Sequence, residues 1–145
     1  MTKNNFPKSE RDIFNILRNC KVFSGDTLLL HSNITKWTIS LLKAGHKKPL
    51  KLILDALINY LGEKGTLLLP TFNFDFSNIG YYDYLKTPSE MGSLSKESLI
   101  SKKFKRTKHP IYSFAVHGYH SKSFLSLKNK GATSFDSPFA LIRKL

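Results

Sequence analysis

The chain has 145 residues, 41% of them hydrophobic, with one cysteine and 23 lysines and arginines against 10 acidic residues, a formal net charge of +13. That length suits one domain with a real core. The lone Cys20 excludes an internal disulfide and any multi-cysteine metal centre, and no apolar run approaches the roughly 20 residues of a membrane span. The cationic excess favours anionic partners such as nucleic acid, phosphorylated cofactors or an acidic membrane surface.

The opening M-T-K-N-N-F-P-K-S-E lacks the apolar centre of a signal peptide, so the expected compartment is the cytoplasm. Ser9 is a good N-cap, and Ile13, Phe14, Ile16 and Leu17 fall at helical spacing, predicting an amphipathic helix over residues 8–20. Cys20 is expected as a packed thiol at its end. Gly25 breaks the pattern. Residues 26–31, D-T-L-L-L-H, form a short apolar run that reads as a strand covered on both faces, running into polar His31, Ser32 and Asn33. In T-K-W-T-I-S-L-L-K-A-G, Trp37, Leu41 and Ala44 share a helical face that Gly45 closes.

Pro49 suits a first helical turn, and Leu50, Ile53, Leu54, Leu57, Ile58 and Leu61 make a wide apolar stripe ending at Gly62. Residues 65–71, G-T-L-L-L-P-T, then repeat the earlier strand. Two such strands joined by mostly helical sequence predict a right-handed βαβ unit with both strands pointing the same way. Open parallel sheets bind ligands beyond the carboxyl ends of their strands, which gathers His31, Ser32, Asn33, Thr71 and Phe72 at one rim. A helix starting after Asn33 aims free backbone N–H groups at that rim, suiting a phosphate or an oxyanion. The plainer reading is that these are strand ends with turn-forming polar residues.

Residues 71–87 are long, irregular and aromatic, with Phe72, Phe74, Phe76, Tyr81, Tyr82 and Tyr84 among Asn73, Asp75, Asn78 and Asp83. Such a stretch either seats a sugar or a base or roofs the core. Residues 91–101 read as a helix and deliver the chain into K-K-F-K-R-T-K at 102–108, which is either a solvated loop or an anion site. In T-K-H-P-I-Y-S-F-A-V-H-G, residues 107–118, Pro110 pushes His109 into an extended or turn conformation before a strand. From Ile111 the period is two, with Phe114 and Val116 on one face and Ser113, Ala115 and His117 on the other. His109 and Ser113 are thereby expected over a cleft. Residues 121–128 form a short helix or turn placing Phe124, Leu125 and Leu127 inward, and Ser137 caps a last helix with Pro138 at its first position. No G-x-x-x-x-G-K-[ST], G-x-G-x-x-G or H-E-x-x-H pattern occurs, so nucleotide hydrolysis and zinc chemistry have little support and no metal is expected.

Five fragments, G-D-T-L-L-L-H-S-N, G-E-K-G-T-L-L-L-P-T-F, T-P-S-E-M-G-S-L, T-K-H-P-I-Y-S-F-A-V-H-G and S-P-F-A-L, in this order and spacing, resemble the aminoglycoside 3-N-acetyltransferase family. The resemblance implies an α/β fold with a parallel or mixed sheet flanked by helices, and acetyl transfer from acetyl-CoA to an amine, in the best-known members an amino group of an aminoglycoside antibiotic. By position, it implies that His31, Ser32 and Asn33 lie beside the coenzyme, with Asn33 standing where the family has Ser. Thr71 and Phe72 match the P-T-F turn near the pantetheine, His109 and Ser113 the H-P-x-x-S motif at the coenzyme and acyl site, and Ser137 with Pro138 the S-P-F turn.

Family members are roughly twice as long and carry a later H-x-x-E motif for acid-base work. The expectation is therefore a single partial domain over residues 1–145, an N-terminal portion of such an enzyme. Its candidate partners are acetyl-CoA, an amino-sugar acceptor and a separate chain supplying the other half. The attacking amine must first lose a proton, and lack of the group that accepts it costs about 10²- to 10⁴-fold. His109 is the candidate catalytic residue, although no carboxylate that would orient it is evident. A +13 surface repels polycationic aminoglycosides and attracts coenzyme phosphates, which keeps open an acceptor such as a nucleotide-linked or surface-polysaccharide amino sugar. An inactive fragment is a further alternative. A remnant that holds nucleic acid ranks last, because no nucleic-acid motif is present.

Overall fold

The structure is a computed structural model and describes residues 6–145. Helix α1 (Glu10–Asn19) starts where Ser9 accepts a hydrogen bond from the Asp12 amide. Strand β1 (Thr27–Leu29) leads through α2 (Thr35–Lys43) and α3 (Pro49–Leu61) to β2 (Thr66–Pro70). After β2 come a short α4 (Phe76–Ile79), α5 (Ser93–Ile100), a two-residue β3 (Lys105–Arg106), β4 (Phe114–Gly118), α6 (Ser121–Ser126) and α7 (Pro138–Ile142).

The sheet order is β1-β2-β4-β3. β1 and β2 are parallel, as their long helical connection requires, and β4 runs antiparallel to both of its neighbours. The sheet is therefore mixed, with helices on both faces.

Period-two alternation along the central strands sorts the core into two layers. Leu67 and Leu69 of β2 and Ala115 of β4 pack with Ile13, Leu41, Ile53, Leu57 and Leu94 from α1, α2, α3 and α5. Leu68, Phe114 and Val116 point the other way, onto Phe124 of α6 and Phe139 of α7. Each fully buried side chain of this size contributes about 1.5–3 kcal/mol of apolar transfer. The stripe on α3 buries Ile53, Leu54, Leu57 and Leu61 as its spacing predicts.

Several local features depart from the expected elements. β1 stops at Leu29, although the Leu30 amide still reaches the Leu68 carbonyl at 2.9 Å. Cys20 is exposed at the C-cap of α1, because the apolar stripe there faces away from it, and Ala44 is likewise an exposed cap at the end of α2. The basic stretch, open between a solvated loop and an anion site, divides: Lys102, Lys103, Lys105 and Lys108 are exposed, while Arg106 is buried in β3. Finally, β4 begins at Phe114 and not at Ile111, since the amides of Ile111 and Tyr112 turn back onto the His109 ring. No helix among the described residues is long and apolar enough to cross a membrane.

Candidate functional site

The strand directions bring several segments to one rim. The segment after β1, the residue after β2 and the residue before β4 lie at the same end of the sheet, and β3, antiparallel to β4, finishes there as well. Pairing continues past the strands. The Thr71 amide donates to the Ser113 carbonyl at 2.8 Å, and the Asn73 amide to the Ile111 carbonyl at 3.0 Å. Thr107 closes the far side, its amide donating to the Phe114 carbonyl and its hydroxyl accepting from the Phe114 amide, both at 2.9 Å.

At the centre of the rim Ser113 is fully buried. Its Oγ accepts from Arg106 Nε at 2.9 Å and donates to the Thr71 carbonyl at 3.0 Å. Thr71 Oγ1 lies 3.0 Å from the same oxygen, and with the Ser113 proton already spent, Thr71 is the donor. Ser113 thus has a full complement of protein partners and does not stand open over a cleft. The expectation of an open hydroxyl overlooked that the small face of β4 is covered too, Ala115 by the layer of α1, α3 and α5, and Ser113 by Arg106 and Thr71.

His109 is nearly buried, at 9% exposure. Its Nδ1 accepts from the amides of Ile111 at 3.2 Å and Tyr112 at 3.0 Å. Two donors aimed at one ring nitrogen leave it without a proton, so the neutral ring carries its proton on Nε2. Burial pushes the His109 pKa below its ordinary value, and the influence of the nearby Lys130 carbonyl offsets this only in part. A neutral imidazole with an N–H to offer is the chemical species present.

From His109 an aromatic chain runs along the rim. Its ring lies 5.7 Å from Tyr112, which is 5.1 Å from Phe72, itself 5.3 Å from Phe114 and 6.4 Å from Phe139. Phe139 sits in α7, where buried Ser137 caps the helix by accepting from the Ala140 amide at 3.2 Å and Pro138 fills the first position. Ser137 and Pro138 therefore adjoin the site through packing. Their polar groups are used within their own turn.

His31, Ser32 and Asn33 are exposed at the end of β1. Asn33 Oδ1 accepts from the Thr35 amide at 3.2 Å, and α2 begins with no other side-chain cap. Across the rim, residues 71–92 fold back on themselves, the Glu90 amide meeting the Phe72 carbonyl at 3.0 Å and Glu90 Oε2 accepting from the Phe74 amide at 3.1 Å. This loop encloses a cleft of about 330 Å³ lined by Asn73, Asp75, Ile79, Tyr81, Asp83, Lys86, Thr87 and Pro88. It is a locally acidic place on a strongly basic chain. Among the described residues no three His, Cys, Asp or Glu side chains gather closely enough to hold a metal ion.

Arg106 and Thr107 were missed as site residues. The signal that could have found Arg106 is the period of two that pairs it with buried Phe104, hidden beneath a run of charge that reads as solvent-facing.

Relatives share this architecture. A mutant of aminoglycoside acetyltransferase AAC(3)-IVa in complex with apramycin superposes with a TM-score of 0.75 at 23% identity, over 99% of this chain and 55% of that one. The binary complex of AAC-IIIb with CoASH matches with a TM-score of 0.66 at 14% identity, over 81% and 48% of the two chains. In sequence, the SPbeta prophage-derived aminoglycoside N(3')-acetyltransferase-like protein YokD of Bacillus subtilis (strain 168) is 23% identical over 143 residues, 83% of this chain and 50% of its own length. The chain spans about half the length of these relatives. The family model for aminoglycoside 3-N-acetyltransferase matches residues 29–145, and the chain belongs to that family.

Proposed function

We propose that the chain forms the coenzyme side of an acetyltransferase centre, where the acetyl group of acetyl-CoA passes to an amino group of an aminoglycoside. The observation that carries this reading is His109, a nearly buried imidazole held neutral by two backbone amides on Nδ1. In the transfer, the amine lone pair attacks the thioester carbonyl carbon, a C–N bond forms and the C–S bond breaks. The sulfur leaves as a thiolate, which takes up the proton that the nitrogen sheds as the amide forms. His109 is the catalytic residue in this reading, its Nε2–H donating to the thioester oxygen and steadying the charge that develops there. With Nδ1 occupied, it acts as donor and not as the base.

Thr71 and Ser113 hold the main chain beneath the pantetheine, and Phe72 with Tyr112 gives that arm an apolar wall. His31, Ser32, Asn33 and the open first turn of α2 face the coenzyme from the β1 side, while Ser137 and Pro138 brace Phe139 behind Phe72. The family relationship supports this reading, as does the relative bound to CoASH. The acidic cleft beside Asp75 and Asp83 gives ammonium groups a favourable seat that the overall charge denies them elsewhere. An enzyme of this kind works in the cytoplasm and protects its host against the antibiotic. The net charge of +13 favours a second reading, acyl transfer to an anionic amino sugar carried on a nucleotide or a surface polysaccharide.

Calorimetric titration of the full chain with acetyl-CoA at moderate salt, beside His109→Ala, tests the reading. Saturable binding weakened about tenfold or more by the substitution is the expected result, from loss of one hydrogen bond in a desolvated site. A folded chain that binds no acetyl-CoA overturns it. Thiol release with apramycin compared with a nucleotide-linked amino sugar separates the two acceptors.

A further inference from the structure

Arg106 is the one lysine or arginine among the described residues that is buried, at 7% exposure. Taking a guanidinium out of water is costly unless its protons are matched, and the usual match is a carboxylate. Here there is none. The ion pairs among the described residues both belong to Asp55, with Lys51 and Lys103.

Three neutral acceptors take that place. Nε donates to Ser113 Oγ at 2.9 Å, one terminal nitrogen to the Thr71 carbonyl at 2.6 Å, and the other to the Thr87 carbonyl. The flat face of the group lies 5.1 Å from the centroid of the Tyr82 ring. Tyr82 contributes only that ring, since its buried hydroxyl has no partner among the described residues.

The geography of these contacts matters more than their number. Thr71 is where the 71–92 loop leaves β2, Thr87 is where it returns, and Tyr82 lies between them. Ser113 is four residues from His109 on the turn that presents the imidazole. One rigid fork, anchored in β3, therefore ties both ends of the loop to the segment that carries His109. Thr87 also lines the acidic cleft, so the stance of that cleft relative to His109 runs through the same side chain.

We propose that Arg106 is a positioning residue for the acceptor: it fixes the 71–92 loop against the His109 turn and so sets the register between the acidic cleft and the thioester. The proposal rests on the acetyltransferase reading given above. Lysine cannot replace it, because a single ammonium on a flexible stem does not span the three separate acceptors that the fork reaches.

The test compares wild type, Arg106→Lys and Arg106→Ala by amide hydrogen exchange and by titration with acetyl-CoA and with apramycin. In both variants, amides of residues 72–90 exchange about tenfold or more faster while those of α3 stay protected, as expected when a charge-assisted anchor is lost locally. Apramycin affinity falls by a similar factor and acetyl-CoA affinity falls less. Millimolar guanidinium restores loop protection and apramycin binding to Arg106→Ala but not to Arg106→Lys, whose side chain still fills the slot. Uniform acceleration across α3 and the loop, or loop exchange unchanged from wild type, overturns the proposal. Equal losses for both ligands without guanidinium rescue overturn it too, since they mark a merely structural residue. A wild-type chain that binds neither ligand, with loop exchange still responding to Arg106 and to guanidinium, upholds the loop anchor and overturns the acetyltransferase reading instead.

Discussion

Ser113 Oγ and Thr71 Oγ1 lie 3.0 Å apart across the junction of β4 and β2, and both are fully buried. The pair seals the rim from beneath. Because Ser113 also accepts from Arg106 and donates to the Thr71 carbonyl, its removal strands a charged donor as well as a hydroxyl. Ser113→Ala should therefore cost about 1–3 kcal/mol, near the upper end for a single hydrogen bond, because the orphaned partner is an arginine. Urea unfolding measures it. A midpoint equal to wild type would show that the network adds no net stability to the folded chain.

Gly118 ends β4 opposite Thr66 with φ +109°, where a side chain is strained, and a Cβ there would lie 2.1 Å from the Gly65 carbonyl oxygen. That oxygen and the Thr66 Cα, which would lie 2.9 Å from the same Cβ, are both backbone atoms, so neither yields cheaply. Gly118→Ala should destabilise the chain by several kcal/mol, about 1–3 from the backbone conformation alone and the rest from separating β4 from β2. Thermal unfolding checks this, and a loss below about 1 kcal/mol would mean that the sheet end can shift.

Much of this architecture was legible in the chain. The α3 stripe and the apolar runs of β1 and β2 state their own period and burial, and a helical connection between like strands dictates parallel pairing. The polar residues that follow each run, together with H-P-x-x-S, marked the rim that the fold assembles. Arg106 was not legible, because charge counted along K-K-F-K-R-T-K says solvent whereas burial follows alternation along β3. The burial of Ser113 was hidden for a related reason. A strand with one small face looks half-exposed until the opposing helices are in place. The late start of β4 follows from a side chain capturing backbone donors, an interaction that periodicity does not encode.

Burial, with that capture beside it, makes His109 a pH-sensitive point of the rim. Its folded pKa lies below the ordinary value of 6.5, chiefly through burial, so between the two values the unfolded chain binds more protons than the folded one. Stability is then fully present above pH 6.5 and declines as pH falls through that value toward the folded pKa, with a slope of at most about 1.4 kcal/mol per pH unit for one proton. Asparagine at this position offers an oxygen to the Ile111 and Tyr112 amides without titrating. The stability of His109→Asn relative to wild type should accordingly improve as pH drops below 6.5. Acetyl-CoA binding by wild type should weaken over the same interval, because a proton on Nδ1 expels both amides and disorders the turn. Paired urea titrations from pH 7.5 to 5, with the His109 ring followed by NMR, decide the matter: a ring midpoint at or above 6.5, or parallel stability curves for the two proteins, would refute the neutral, amide-capped imidazole as the organising group of this site.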